Sequence, residues 1–140
     1  MTDLDICRIL DLPVFDDPGR GVLSVAEGGE YLPFEIRRAY WIYRVPYGET
    51  RGGHAHKNLR QALIAVSGSF EVVVDNGKEQ KRVLLDNPSK CFLLPPGIWR
   101  ILENFSDGAV CLCLASELYD EQDYIRDYEE FLKWTLKNED

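Results

Sequence analysis

Several kinds of residue and segment are scarce or missing in this chain. It has one methionine and only two histidines among its 140 residues, and no apolar run is long enough to cross a bilayer. Its first residues lack the basic and apolar regions of a signal peptide, so we expect a cytoplasmic protein that does not bind membranes. None of the four cysteines has the spacing of a zinc site. Cys111 and Cys113 alternate with apolar residues, so we expect buried free thiols there.

Positive charge is also in short supply. Sixteen lysines and arginines are outnumbered by 24 aspartates and glutamates, which gives a formal net charge of -8. This balance argues against binding to nucleic acids or anionic membranes, because both are negatively charged. It still allows one local basic pocket for a phosphorylated ligand. The length of 140 residues and the apolar fraction of 45% predict a single globular domain over residues 1–140.

Short β-strands dominate the predicted secondary structure. Runs rich in aromatic and β-branched residues, such as residues 39–45, and apolar runs, such as residues 61–66, are separated by turn residues. Asn76-Gly77 between two such runs predicts a hairpin, because Asn-Gly favours positive φ. Near the C-terminus, acidic residues followed by apolar residues at helical spacing predict a helix over about residues 121–137. We therefore predict an all-β sandwich or barrel with a C-terminal α-helix.

One segment combines both histidines with regularly placed glycines. Residues 48–68 have the pattern G-x5-H-x-H-x4-Q-x6-G, and an H-x-H in a strand puts His54 and His56 on one face. A later segment, residues 95–104, has the pattern P-x-G-x2-R-x3-N. Metal-binding cupins have a glutamate at the position of the glutamine in the first pattern and a histidine at the position of the arginine in the second. The chain therefore has both halves of a cupin metal motif, with two of the four ligands replaced.

The two replacements, Gln61 and Arg100, argue against a metal at this site. Catalytic metals usually need three or more protein ligands of suitable type. Gln61 is a weak neutral donor, and Arg100 has no lone pair and carries a permanent positive charge. We therefore expect no metal, and we expect the histidines to serve in proton transfer. An H-x-H pair can also simply fill a core, but the flanking Arg51 and Lys57 favour an anionic ligand.

Four collinear blocks of sequence resemble one known family. They are residues 34–42, 51–57, 96–100 and 114–128, within a match that runs from about residue 16 to residue 134. Together they closely resemble the sugar-nucleotide 3,4-ketoisomerases, which are also called WxcM-like cupins. The resemblance implies a cupin jelly-roll barrel, a cytoplasmic homodimer, and an isomerase that needs neither a metal nor another cofactor.

The resemblance also implies a substrate. Members of the family convert dTDP-4-keto-6-deoxy-D-glucose to a dTDP-3-keto-6-deoxyhexose, which leads to 3-acetamido-3,6-dideoxyhexoses for O-antigen lipopolysaccharide or S-layer glycans. The carbonyl at C4 acidifies the C3 proton, so a base can remove it and form an enediolate that is reprotonated at C4. His54 matches the family's base, and His56 is the expected shuttle or C4-side acid. The spacing does not decide which of them removes the C3 proton.

Four charged residues are candidate contacts to the nucleotide and the sugar. Arginines bind diphosphates through forked donors, so Arg38 and Arg51 are expected to bind this part of the substrate. Lys57 is a further candidate for the same contact. An exposed, solvated side chain without a role in binding is an equal alternative for it. Arg20 matches an early segment of the family and is expected to border the sugar.

Four further residues are candidate contacts around the reacting carbons. Tyr40 is expected to form a hydrogen bond to the ligand. Trp99 either lines the pocket or packs in the core. Gln61 and Arg100 are expected beside the sugar because they occupy the former ligand positions. Since members of the family differ at the position of Arg100, the C4 configuration of the product stays open.

Three rival functions fit parts of the same pattern. A dTDP-sugar 3,5-epimerase shares the R-G-x-H segment and the substrate, but these enzymes are longer and pair their histidine with differently placed residues. A metal-dependent cupin oxygenase or isomerase is opposed by Gln61 and Arg100. A non-catalytic binder of sugar nucleotides is disfavoured by the retention of both histidines. A cupin fold alone supports none of these functions over another.

Overall fold

The computed structural model describes residues 3–138, and these residues form mainly antiparallel β-strands. Within this range, two five-stranded sheets pack against each other beside a separate two-stranded hairpin, and one α-helix follows near the C-terminus. The predicted all-β cupin fold with a C-terminal helix is therefore confirmed. The ends of the predicted domain, residues 1–2 and 139–140, lie outside the described residues.

The first sheet is built around an apolar central strand. In spatial order it contains β1 (Arg8–Asp11), β9 (Lys90–Leu94), β6 (Gln61–Ser67), β11 (Val110–Ala115) and β4 (Arg38–Tyr43). The first five residues of β6 are all buried, because this part of the sheet is covered on both faces. At the sheet edge, β4 alternates between half-buried and exposed residues, so Trp41 and Tyr43 face outward together.

The second sheet carries the histidine motif. In spatial order it contains β12 (Tyr124–Ile125), β5 (Arg51–His56), β10 (Trp99–Glu103), β7 (Phe70–Asp75) and β8 (Gln80–Leu85). The predicted Asn76-Gly77 turn joins β7 to β8, and Gly77 has a φ of 96°. The pairing of β10 with β5 puts Arg100 opposite His54. This register brings the two halves of the sequence motif together.

The remaining two strands form a hairpin with little burial. β2 (Val14–Asp17) pairs with β3 (Gly21–Ser24), and all eight residues are exposed. Its apolar side chains are each more than half exposed: Val14, Phe15, Val22 and Leu23. A hairpin this exposed buries too little apolar surface to be stable by itself.

Apolar side chains fill the space between the sheets and cover both outer faces. The layer between the sheets includes Phe70 and Phe92. The outer face of the first sheet is covered by Leu32 and Phe34, from the loop that precedes β4. All four cysteines are buried and free, which confirms the expectation for Cys111 and Cys113.

The C-terminal helix begins later than predicted. A 3₁₀ turn, Glu121–Asp123, is followed by β12, and helix α1 runs only from Tyr128 to Lys137. The predicted start near residue 121 was wrong because the segment has two capping aspartates: Asp120 accepts from Gln122 N, and Asp127 accepts from Glu129 N. No helix within residues 3–138 is long and apolar enough to span a membrane.

Candidate active site

The two histidines lie side by side in the space between the sheets. His54 and His56 are both buried, and their ring centroids are 4.8 Å apart with nearly perpendicular planes. They share a face of β5 because side chains two residues apart on a strand point the same way. Their neighbours come from β4, β6, β10 and the segment before α1, so the group is assembled from distant parts of the chain.

The immediate partner of His54 is a guanidinium group. Arg100 Nε and Nη2 lie 3.1 and 2.9 Å from His54 Nε2. Because arginine only donates hydrogen bonds, this nitrogen of His54 accepts and carries no proton. Burial and the charge of Arg100 lower the pKa of His54 to about 2. His54 is therefore a neutral imidazole whose Nε2 lone pair is covered by a cation.

The immediate partner of His56 is a carboxylate. His56 Nδ1 donates to Asp123 Oδ2 at 3.0 Å, and the other oxygen of Asp123 accepts from Asn58 N at 2.7 Å. Burial and the charge of Arg100 lower the pKa of His56 to about 4, although Asp123 opposes this shift. His56 is therefore neutral at pH 7, with its proton on Nδ1 and its lone pair on Nε2.

Gln61 and Tyr40 connect the two histidines. Gln61 Nε2 donates to the Tyr40 hydroxyl at 3.0 Å and lies 3.4 Å from His56 Nε2. Arg100 Nη2 approaches the same hydroxyl at 3.4 Å. Burial raises the pKa of Tyr40 to about 12, so the phenol keeps its proton. A chain of polar groups thus runs from His56 through Gln61, Tyr40 and Arg100 to His54.

Three buried polar atoms in this group have no hydrogen-bond partner within residues 3–138. They are Gln61 Oε1, Arg38 Nε and Arg100 Nη1. Buried polar groups are normally paired, so unpaired ones mark places where a ligand can bond. Two of the three are guanidinium donors, and the third is an amide oxygen. The set is suited to a ligand that carries both an anionic oxygen and a hydroxyl group.

Aromatic residues close the group on the side of β12. The Tyr124 ring lies 5.0 Å from the His54 ring and 4.4 Å from the His56 ring. Arg38 Nη2 is 3.5 Å from the Tyr124 hydroxyl, and its guanidinium lies 5.2 Å from the Tyr40 ring. These contacts bring Arg38 into the same group as the histidines.

The structure does not bring four of the candidate residues to the histidines. Arg20 lies in the turn of the exposed hairpin, where its side chain is 82% exposed and pairs with Asp17. Arg51 is exposed at the start of β5, and no hydrogen bond or ion pair in the described part of the chain joins it to the histidines. Lys57 lines a different cavity of about 450 Å³, between β12 and α1.

Trp99 is the fourth of these residues, and of its two expected positions the structure shows the one in a packed apolar cluster. It lies beneath α1 with Ile125 and Phe131, on the face of β10 opposite Arg100. Adjacent residues of a strand point to opposite faces, so Arg100 and Trp99 cannot both face the histidines. Trp99 therefore packs between the second sheet and the helix.

Sequence reasoning missed Asp123 and Tyr124, which both contact the histidines. They lie in the segment that was predicted to be the first turn of the helix. A helix would have placed them far from β5, whereas the extended backbone of β12 pairs Tyr124 with His56. The signal that was available is the sequence block of residues 114–128, which contains both residues.

The chemistry of the donor set does not match a metal site. Within residues 3–138, no three His, Cys, Asp or Glu side chains are grouped closely enough to hold a metal ion. Arg100 donates its hydrogen bonds to His54 and brings a positive charge to the position where a cation would bind. The groups present are instead those of proton transfer between neutral imidazoles beside a cation.

Comparison with known proteins gives one consistent family. The chain matches the family model FdtA, described as WxcM-like, C-terminal, over residues 5–136. It is 40% identical over 118 residues to a TDP-4-oxo-6-deoxy-alpha-D-glucose-3,4-oxoisomerase from Aneurinibacillus thermoaerophilus, a match that covers 84% of this chain and 85% of that protein.

Solved structures agree with this match. A 3,4-ketoisomerase from Helicobacter canadensis superimposes with a TM-score of 0.89 at 42% identity, over 92% of this chain and 96% of that one. A variant of the 3,4-ketoisomerase QdtA from Thermoanaerobacterium thermosaccharolyticum, in complex with TDP-4-keto-6-deoxyglucose, gives a TM-score of 0.91 at 36% identity, over 94% of this chain and 95% of that one.

Proposed function

Because the chain belongs to the FdtA family of WxcM-like C-terminal domains, we propose that it converts dTDP-4-keto-6-deoxy-D-glucose to a dTDP-3-keto-6-deoxyhexose. It is an isomerase of the 3,4-ketoisomerase type. The observation that carries the choice of mechanism is the pair of buried neutral histidines beside Arg100 and Arg38. Such a group can move protons and hold an oxyanion without redox chemistry.

The proposed reaction moves a proton between two neighbouring carbons. A neutral imidazole takes the proton from C3, and the electrons pass to the C4 carbonyl oxygen, which forms an enediolate. A proton then returns to C4, and the proton of the C3 hydroxyl passes to the C4 oxygen, which leaves a ketone at C3 and a hydroxyl at C4. His54 and His56 are the proposed proton carriers. Their low pKa values keep them unprotonated at neutral pH and make the imidazolium a strong acid for the return step.

The unpaired atoms of the group have roles in this mechanism. Arg100 Nη1 and Arg38 Nε are the proposed donors to the enediolate oxygens, because cationic donors in a buried site bind a developing oxyanion strongly. Gln61 Oε1 is the proposed acceptor for a sugar hydroxyl. When the C4 oxygen attracts the Arg100 guanidinium, the His54 Nε2 lone pair becomes available as a base.

The nucleotide end of the substrate requires further cations. Arg51 lies on the same strand as the histidines and is the proposed contact to the diphosphate, together with Arg38. Lys57 belongs to another cavity and is an additional candidate only if the nucleotide extends around β12. Tyr40 is proposed to bind the sugar through its hydroxyl group.

We also propose that the chain forms a homodimer. The hairpin of β2 and β3 and the outer face of β4 both present large apolar side chains, including Phe15 and Trp41, each more than half exposed. A second copy that covers them would remove apolar surface from water and could bring its Arg20 to a neighbouring site. We expect a dimer by size-exclusion chromatography with light scattering, and Phe15→Asp should weaken it. A monomeric wild-type protein would contradict this proposal.

The cellular setting proposed for the enzyme is the cytoplasm. Four buried free cysteines within the described residues fit a reducing compartment. The 3-keto product is proposed to pass to an aminotransferase and an acetyltransferase that make 3-acetamido sugars for O-antigen lipopolysaccharide or S-layer glycans.

A proton NMR time course in D2O tests the proposed function. The protein is treated with EDTA, and dTDP-4-keto-6-deoxy-D-glucose is added. We expect a 3-keto sugar with deuterium at C4, and the coupling constants at C4 assign its configuration. Exchange at C3 and C5 without movement of the carbonyl would indicate a 3,5-epimerase instead. No change would indicate a binding protein or another substrate.

A further inference from the structure

Asp123 is a buried carboxylate whose two oxygens face two different partners. It lies in the 3₁₀ turn before β12, 67 residues after His56 in the sequence. Oδ2 accepts from His56 Nδ1 at 3.0 Å, and Oδ1 accepts from the backbone N of Asn58 at 2.7 Å. Asp123 is only 8% exposed, so water does not compete strongly for these bonds.

We infer that Asp123 is a positioning residue for the isomerisation, which holds the proton of His56 on Nδ1 so that Nε2 is the nitrogen that exchanges a proton with the sugar. This inference rests on the proposed function. Asp123 touches neither the sugar nor the reacting atoms in this assignment, and it acts only through His56.

The geometry fixes the tautomer of His56. A carboxylate oxygen only accepts hydrogen bonds, so the nitrogen that faces Oδ2 must be the protonated one. Neutral imidazole carries one proton, and Nε2 is then left with its lone pair. That nitrogen faces the interior, where Gln61 Nε2 is its nearest polar neighbour at 3.4 Å. A contact of this length leaves the lone pair accessible to a closer partner.

The same contact orients Gln61. With a lone pair on His56 Nε2, the Gln61 amide must turn its NH2 group toward His56 and toward Tyr40. The amide oxygen of Gln61 is then left unpaired and free for a substrate hydroxyl. The orientation of the Gln61 amide therefore follows from Asp123.

The alternative is that Asp123 only supports the backbone. Its Oδ1 bond to Asn58 N and the bond from Lys57 N to its backbone oxygen both hold the segment after β5. These contacts involve different atoms from the bond to His56. A substitution that keeps Oδ1 but replaces Oδ2 therefore separates the two roles.

Asp123→Asn is that substitution. The asparagine oxygen can still accept from Asn58 N, while its NH2 group faces His56 Nδ1 and requires a lone pair there. We expect the proton of His56 to move to Nε2. We expect kcat to fall about 100-fold or more, with little change in KM or melting temperature. Asp120→Asn is the matched control, because it removes one carboxylate from the same turn but does not contact His56.

The readout is 15N NMR of protein labelled at histidine, without substrate. The chain has two histidines, so four ring nitrogens are observed and His54→Asn assigns them. Wild-type His56 protonated on Nε2 would overturn the inference, and so would normal kcat in Asp123→Asn. The wild-type spectrum requires no variant, so the inference remains testable even if the variant does not fold. Failure of the proposed function would appear separately, as absence of turnover in wild-type protein with Nδ1-protonated His56.

Discussion

His54 and His56 are the same residue type, two positions apart on one face of one strand, yet their surroundings are opposite. His54 Nε2 accepts from the Arg100 guanidinium, whereas His56 Nδ1 donates to the Asp123 carboxylate. Arg100 comes from β10, and Asp123 comes from the turn before β12. The difference shows that the tertiary partners, rather than the H-x-H spacing, give each histidine its character.

The electrostatic consequence is visible in the pKa values. Burial and Arg100 lower both, to about 2 for His54 and about 4 for His56. Asp123 raises the value only for His56, because a nearby opposite charge favours the protonated form. His56 therefore accepts a proton more readily than His54 does in the protein without substrate.

The largest expected effect comes from removing either histidine. His54→Asn should abolish turnover, with a loss of about 1,000-fold or more, because it removes one of the two proposed proton carriers. His56→Asn should also impair turnover, but less. The NMR assay with the dTDP-keto sugar measures both losses, and circular dichroism checks that each variant folds. Full activity of the His54 variant would contradict its role.

A second variant removes the cation that distinguishes the two surroundings. Arg100→Met should lower kcat/KM about 100-fold, because a donor to the developing oxyanion is lost. The pKa of both histidines should rise, since the charge of Arg100 lowers each of them. Arg82→Met is the matched control: this arginine is half exposed and pairs with Glu71 and Glu103. An equal fall in kcat/KM in both variants would argue against a specific role for Arg100 in the reaction.

The pH dependence of stability should depend on both histidines. Their folded-state pKa values lie below the unfolded value of about 6.5, so between about pH 6.5 and pH 4 the unfolded chain binds more protons than the folded one. The stability that the two neutral histidines contribute is therefore fully present above about pH 6.5, and it is lost as the pH falls below that value. Lowering the pH from 7 to 5 should cost about 2 kcal/mol per histidine.

Urea unfolding at the two pH values measures this loss. Because other groups also titrate, the test is the difference between the wild-type protein and the variants His54→Asn and His56→Asn. In each variant, the free energy of unfolding should fall by about 2 kcal/mol less between pH 7 and pH 5 than it does in the wild-type protein. An unchanged dependence in both variants would mean that the histidines are not held neutral in the folded protein.

The smallest expected effect comes from a variant that adds a carboxylate beside one histidine and so increases the difference between the two surroundings. Gln61→Glu places a negative charge near His56 Nε2, which should raise the pKa of His56 by about one unit. The activity should fall about tenfold, because the amide donor to Tyr40 is also lost. NMR titration of the two histidines measures the shift. A larger rise in the pKa of His54 than in that of His56 would contradict the position of Gln61 beside His56 Nε2.

Much of the fold follows from local sequence signals. Alternating apolar runs and the Asn76-Gly77 turn predicted the strands, and the two motif halves predicted that Gln61 and Arg100 would lie near the histidines. Arg38 and Tyr40, which were expected to contact the substrate, also lie in the group around the histidines. These predictions succeeded because strand alternation fixes which side chains share a face.

The rest of the site depends on contacts that no local pattern encodes. The segment around Asp123 has the acidic residues of a helix start, but it forms only a short 3₁₀ turn before the chain extends into β12 and pairs with β5. Trp99 was left between two roles, and only the register of β10 assigns it to the outer face. Arg20 lies on a hairpin that stays exposed among residues 3–138, so its separation from the histidines could not be inferred from sequence.

The late position of Asp123 has a consequence for biosynthesis of the enzyme. When a ribosome has translated β11, it has made every strand of both sheets except β12, including the strand that carries His54 and His56. The carboxylate for His56 and the Tyr124 ring are added only afterwards. A nascent chain or a product of premature termination would therefore carry both histidines without their polarising partner. Under the proposed role of Asp123, full catalytic activity therefore requires synthesis past residue 123.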